Sequence, residues 1–176
     1  MAVIKDLDTI AKLETDGFSL NIEIFNLLEL IQNVIDLFEM KAKKRNITLL
    51  FDRVYEFPVF VQGDIEKIEQ VLINLIVNSI KYGKPNGTTI ISVDTYSNKK
   101  FMIKVTDNGE GIKKEHFPRL FERFYRVDQS RSREQGGSGL GLSIVKHIVE
   151  AHNETILMKS NYGKGSEFSF TLDKAE

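Results

Sequence analysis

Residues 101–112 read FMIKVTDNGEGI and residues 136–142 read GGSGLGL. In the first stretch Phe101, Ile103 and Val105 alternate with Met102, Lys104 and Thr106, the mark of a strand with one covered face. That strand runs into Asp107-Asn108-Gly109-Glu110-Gly111. In the second stretch a glycine-rich turn runs straight into Leu140, Leu142, Ile144 and Val145, which predicts a helix over about 140–151. A third segment, QVLINLIVNSIKY (Gln70–Tyr82), sets Asn74 and Asn78 inside an apolar helix.

Reading outward, Val3, Leu7 and Ile10 predict a short helix ending near Gly17. It is either an ordinary N-terminal helix or the tail of a longer coiled pair. Residues 18–25 read as extended. Asn26 is a good N-cap for a helix of about 27–45, whose basic end, Lys41 to Arg45, suits the helix dipole. Strands are expected at 47–51 and 59–61. Asp64 caps a helix of about 65–82. Strands follow at about 88–96 and 100–106, then near 155–160 and 166–172. Residues 113–138 are polar, basic and punctuated by aromatics, with no long period, as a functional lid or a partly disordered stretch would be. Strands interleaved with three substantial helices predict a two-layer α/β sandwich with a mixed, mostly antiparallel sheet.

Composition narrows the function. The 176 residues carry a formal net charge of -1, which disfavours a nucleic-acid binder that relies on global charge. There is no cysteine, hence no disulfide framework and no thiolate zinc site. His116, His147 and His152 do not form an H-E-x-x-H pattern. No apolar run reaches the roughly 18 residues of a membrane span.

Each motif has two readings. Gln70, Asn74, Asn78 and Lys81 share one side of their helix. Buried asparagines need partners; a carboxamide oxygen suits Mg²⁺, and Lys81 suits a phosphate. The alternative is a polar edge satisfied by backbone. Asn108-Gly109 is a hairpin signal. However, no matching strand follows Ile112, and Asp107 could accept from an exocyclic amine such as that of adenine. The 136–142 turn is neither a Walker A loop nor G-x-G-x-x-G, yet a glycine-lined helix start is an anion site, with Ser138 adding a hydroxyl. A flexible linker is the alternative. Phe117, Phe121, Phe124 and Tyr125 could pin a lid to the body, and Arg126 could meet a phosphate bidentately. Without other features, that stretch reads as a solvated basic segment.

The four segments in this order resemble the catalytic, ATP-binding domain of sensor histidine kinases, in the GHKL group with gyrase, MutL and the large heat-shock chaperone. QVLINLIVNSIKY is similar to the N box, DNGEGI to the first glycine box, FPRLFERFYRVD to the F box and GGSGLGLSIVKHIVEAH to the second glycine box. The resemblance covers about residues 19–173. Residues 1–17 resemble the end of the second dimerisation helix. It implies the Bergerat-type fold, ATP and Mg²⁺. Asp107 would bind the adenine amine, Gly109, Gly111 and Ile112 would line the base, and Tyr82 would stand beside the nucleotide. Asn78 would coordinate Mg²⁺, with Asn74 and Lys81 helping hold the phosphates. Tyr125, Arg126, Gly137, Ser138, Gly139, Leu140, Gly141 and Leu142 would form lid and phosphate cradle.

Hydrolysing members carry a glutamate base where this chain has Asn74, so fast intrinsic ATP hydrolysis is not expected. Asn153-Glu154 replaces the family's usual Gly-Gly, with little effect expected because asparagine tolerates a left-handed cap. No histidine stands in an H-[ED]-x-x-[TN]-P context, so the acceptor would be supplied by a dimerisation domain, with a response regulator receiver domain downstream. His116, His147 and His152 are expected in surface or cap roles. The expected location is cytoplasmic, including the cytoplasmic part of an anchored protein, with neither nucleic-acid nor membrane contact and a monomeric state. A degenerate binding module and an anti-sigma-type serine/threonine kinase are the alternatives.

Overall fold

A computed structural model describes residues 2–14, 19–127 and 137–176. The expected cap at Gly17, residue Gly136 and the lid segment 128–136 lie outside the described residues, as does the side chain of Val3. Helix α1 (Ala2–Glu14) precedes β1 (Glu23–Asn26), α2 (Leu27–Lys44), β2 (Thr48–Phe51) and β3 (Phe60–Gly63). Helix α3 (Ile65–Tyr82), β4 (Thr88–Thr95) and β5 (Lys100–Asp107) follow, then α4 (Gly141–Ala151), β6 (Ile156–Asn161) and β7 (Gly165–Lys174).

The capping residues set the helix starts. The Asn26 carboxamide accepts from Leu28 N–H, and the Asp64 carboxylate accepts from Lys67 N–H. Each satisfies a donor that has no partner inside its helix. Helix α2 ends on Lys41, Lys43 and Lys44, placing positive charge at its negative end.

Seven strands form one sheet, in the order β1-β3-β7-β5-β4-β2 with β6 also paired to β7. The β2–β4 pair is parallel and the other pairs are antiparallel. This is the mixed, mostly antiparallel sheet expected from the sequence. Register lines up Val93, Ile103, Phe170 and Ile156 across four strands on the helix-facing side. Against that row pack Ile68, Leu72, Leu75 and Ile76 of α3 and Ile144, Val145 and Ile148 of α4, all buried. Each such side chain contributes roughly 1.5–3 kcal/mol on leaving water.

Two local expectations are corrected. Of the extended 18–25 stretch only Glu23–Phe25 pairs, in a strand that runs on to Asn26, because β3 offers partners just over Phe60–Gly63. Residues assigned wholly to an irregular lid include a 3-10 helix, Lys114–Arg119, with Pro118 inside it. A short 3-10 segment has no sustained 3.6-residue period to betray it.

Candidate functional site

The loop after β5 and the Gly137–Gly141 turn, far apart in the chain, meet the C-terminal half of α3 through three contacts. The first contact is with the loop after β5. Glu110 N–H donates to the Tyr82 carbonyl at 3.3 Å, and a side-chain atom on Gly109 would collide with that same oxygen. The second is with the turn before α4. A Cβ on Gly137 would stand 2.8 Å from Lys81 Nζ and 3.8 Å from Arg126 Nη2. The third is with α4 itself, where a Cβ on Gly141 would stand 3.0 Å from Asn74 Oδ1.

Asp107 ends β5. One carboxylate oxygen accepts from Gly109 N–H at 2.9 Å, and Ser166 backbone supplies a second hydrogen bond. Burial pushes its pKa above the ordinary aspartate value, against those two N–H groups, which lower it. The result is a half-buried acceptor with fixed orientation. Its loop is anchored on both sides. Asn108 Oδ1 accepts from Thr88 N–H at 2.8 Å. Ile112 N–H donates to Ser160 Oγ at 2.8 Å. Gly111 has φ +69°, and any Cβ there would strike the Asn161 carbonyl at the end of β6. Only glycine fits that position.

On α3, the four polar residues of the stripe are half-buried along one edge, as their spacing predicts. The Asn74 amide donates to Gln70 O at 3.0 Å, turning the carboxamide oxygen toward α4. The Asn78 carboxamide makes no hydrogen bond with another described residue. Lys81 lies 5.1 Å from the centre of the Tyr82 ring. Burial, then Arg126 and then Lys41, push the Lys81 pKa down. Such crowding of cations favours an anion. Tyr82 itself is 44% exposed at the helix end.

Helix α4 begins without a side-chain cap, at Leu140. Leu140 is fully buried and anchors the turn, while Leu142 packs against the core edge. The Leu140 N–H donates to Ser138 Oγ at 3.2 Å, and Gly139 O accepts from Phe124 N–H at 3.0 Å. Here one expectation is corrected. Phe124 is tied to the turn before α4 through its backbone, at φ +61°, and its ring is 58% exposed. The ring that pins the segment is Phe121, edge-on to Phe168 at 6.3 Å. The Tyr125 hydroxyl lies 2.6 Å from His116 Nδ1, and the Arg119 guanidinium stacks over its ring at 4.5 Å.

Asn153 takes the positive φ that its cap position calls for, +57°. Glu154 beside it has partners of its own. Its side chain is 3% exposed and accepts from Lys100 Nζ and from Thr171 Oγ1, both at 2.5 Å. His152 caps α4, as expected of a cap residue. Among the residues missed at the sequence level, Ser166, Asn108 and Asp6 matter most. Asn108 was legible only as a turn former, and no local pattern links Asp6 to Ser138, 132 positions away.

Residues 63–176 match the family model of histidine kinase-, DNA gyrase B- and HSP90-like ATPases. The sensor histidine kinase WalK of Bacillus subtilis is 35% identical over 99% of this chain, which spans 28% of WalK. Histidine kinase ThkA, solved in complex with response regulator protein TrrA, superposes with TM-score 0.76 at 32% identity, covering 98% of this chain and 48% of ThkA. Full-length ShkA in complex with AMPPNP, at 22% identity, shares the fold with TM-score 0.86 over 99% of this chain and 36% of ShkA.

Fold and site thus define an ATPase-type nucleotide-binding domain, and the chain belongs to the histidine kinase-, DNA gyrase B- and HSP90-like ATPase family. Within that family it is an ATP-binding catalytic domain of the sensor histidine kinase kind. Among the described residues no helix is long and apolar enough to cross a membrane.

Proposed function

We propose that this domain binds Mg-ATP and donates the γ-phosphoryl group to a histidine on a separate dimerisation domain. The observation that carries the reading is the convergence of the Asp107 loop, the Gly137–Gly141 turn and the polar edge of α3 around one helix end. Asp107 accepts the adenine amine, with Gly109, Gly111 and Ile112 against the base and Tyr82 at its edge. Lys81 and Arg126 meet the phosphates, with Tyr125 alongside in the lid. Gly137, Ser138, Gly139, Leu140, Gly141 and Leu142 form the cradle at the start of α4. Asn78, whose carboxamide has no other described partner, fits a magnesium ligand; the ion would supply charge neutralisation at the phosphates. Asn74, whose amide donates to Gln70 O, turns its oxygen toward Gly141, where it helps hold the phosphates, and it cannot act as a base toward water. Transfer therefore rests on positioning and charge.

The dimerisation domain, with α1 as the end of its second helix, is the first partner, and a response regulator receiver domain is the second. The sensor kinase relatives and ThkA's complex with TrrA support this choice over a binding module or an anti-sigma-type kinase. The proposed location is cytoplasmic. The chain has no histidine in an acceptor context, so alone it will not label itself.

Calorimetric titration of ATP with and without Mg²⁺ tests the site, and mixing with a separately made acceptor domain tests the transfer. Acid-labile phosphate on the acceptor is expected. Acid-stable phosphate, or rapid self-labelling, would overturn the assignment.

A further inference from the structure

The Ser138 hydroxyl donates a hydrogen bond to the Asp6 carboxylate of α1 at 2.5 Å. Asp6 and Ile10 are one turn apart and share a helix face. Ile10 is 4% exposed within the core, and α1 lies against α4. The ion pair of Asp8 with Lys12, by contrast, faces solvent. Helix α1 is therefore held by an apolar plug and a carboxylate, and the carboxylate sits at the start of α4. That helix start lacks a side-chain cap, and Lys81 and Arg126 gather one residue away at Gly137.

We infer that α1 is a built-in competitor of the nucleotide, with Asp6 occupying the hydroxyl and the positive helix end that the phosphates require. The inference rests on the ATP-binding reading of this site. A serine hydroxyl has one proton to donate. While Asp6 receives it, a phosphate oxygen cannot. Two anions at one helix end also repel each other, in a place where neither is well screened. Docked α1 and bound ATP are thus linked with opposite sign. By reciprocity, whatever draws α1 away raises ATP affinity, and ATP weakens the hold on α1 by the same factor. With α1 as the end of a dimerisation helix, movement of that helix becomes the input that opens the phosphate site.

The test titrates ATP, and separately adenosine, into the whole 176-residue chain and into Asp6→Asn. Asparagine keeps the shape and removes the charge. Asp6→Asn should tighten ATP about fivefold, at the lower end of ordinary coupling factors, and leave adenosine unchanged. Ile10→Ala, which loosens α1 without touching the carboxylate, should also tighten ATP. Hydrogen exchange of residues 2–14 in the unaltered chain should quicken when ATP is added. Equal ATP affinity in the unaltered chain and Asp6→Asn would overturn the inference while leaving the nucleotide site intact. An equal gain for adenosine would overturn it too, since the effect would then not concern phosphates. Absence of ATP binding in both proteins would instead overturn the ATP reading, and the inference with it.

Discussion

Asp64 N–H donates to His152 Nε2 at 3.0 Å, joining the cap of α3 to the end of α4 across 88 residues. The other ring nitrogen, Nδ1, faces Ile148 O at 2.8 Å. A carbonyl only accepts, so Nδ1 carries the proton and Nε2 is free to accept. The ring is neutral in this arrangement. His152→Ala leaves the Asp64 N–H without its partner and is expected to lower stability by about 1–2 kcal/mol, measured by urea unfolding. ATP affinity should change little, because the contact lies at the N-terminal end of α3 while the site forms at its C-terminal end.

Asp107→Asn should separate binding from stability. The burial that raises the Asp107 pKa means that the folded carboxyl keeps its proton where the unfolded one has lost it. Acidification through that window, which starts above the ordinary aspartate value, therefore stabilises the fold while removing the charged acceptor. The neutral amide should likewise leave the melting temperature equal or higher. ATP affinity should fall at least about tenfold, the scale of one lost charged hydrogen bond. A variant that binds ATP as well as the unaltered chain would refute the adenine role.

Lys81→Met is expected to weaken ATP but not adenosine. The Lys81 pKa is lowered, so its charged form is disfavoured by folding, and raising pH toward the unfolded value stabilises the protein. Removing the charge should therefore not lower the melting temperature. Equal losses of ATP and adenosine would show that Lys81 acts on the shape of the site rather than on phosphates.

Gly111→Ala combines a positive φ with a collision against the Asn161 carbonyl. A loss of about 2 kcal/mol or more is expected, together with loss of ATP binding, because the Asp107 loop must shift. Thermal melts and the same titration check both halves.

Glu154→Ala removes a buried carboxylate from Lys100 and Thr171. Lys100 still reaches Asp173 at 3.0 Å, which limits the damage. The expected cost is about 1–3 kcal/mol in urea unfolding, with ATP affinity retained.

What was readable in the sequence was what is local. Asn26 and Asp64 announced α2 and α3 because a cap and the N–H it satisfies are at most three residues apart. The alternation of β5 announced its buried face for the same reason. The site motifs were legible through residue types that are costly in their setting, such as Asn74 and Asn78 in a helix. The missed features are contacts across long separations. Glu154 looked like half of a tolerated cap because Lys100 is 54 residues away, and Asp6 carried no mark of Ser138. Sequence does not tell which of the four aromatic residues faces the body; at Phe124 a left-handed backbone, φ +61°, accompanies a ring that is exposed.

Strand β7 pairs with β3, β5 and β6, so it stands inside the sheet although its residues come last among the strands. A ribosome making this chain releases α2, α3 and both halves of the β4–β5 pair before the strand that joins them exists. Until residues 165–174 emerge, β1 and β3 have no sheet to join, and Asp107 lacks its Ser166 support. Nascent chains therefore pass through translation with their strand edges unpaired and their site unmade, exposed to aggregation. Nucleotide capture becomes a report that synthesis of the domain has finished.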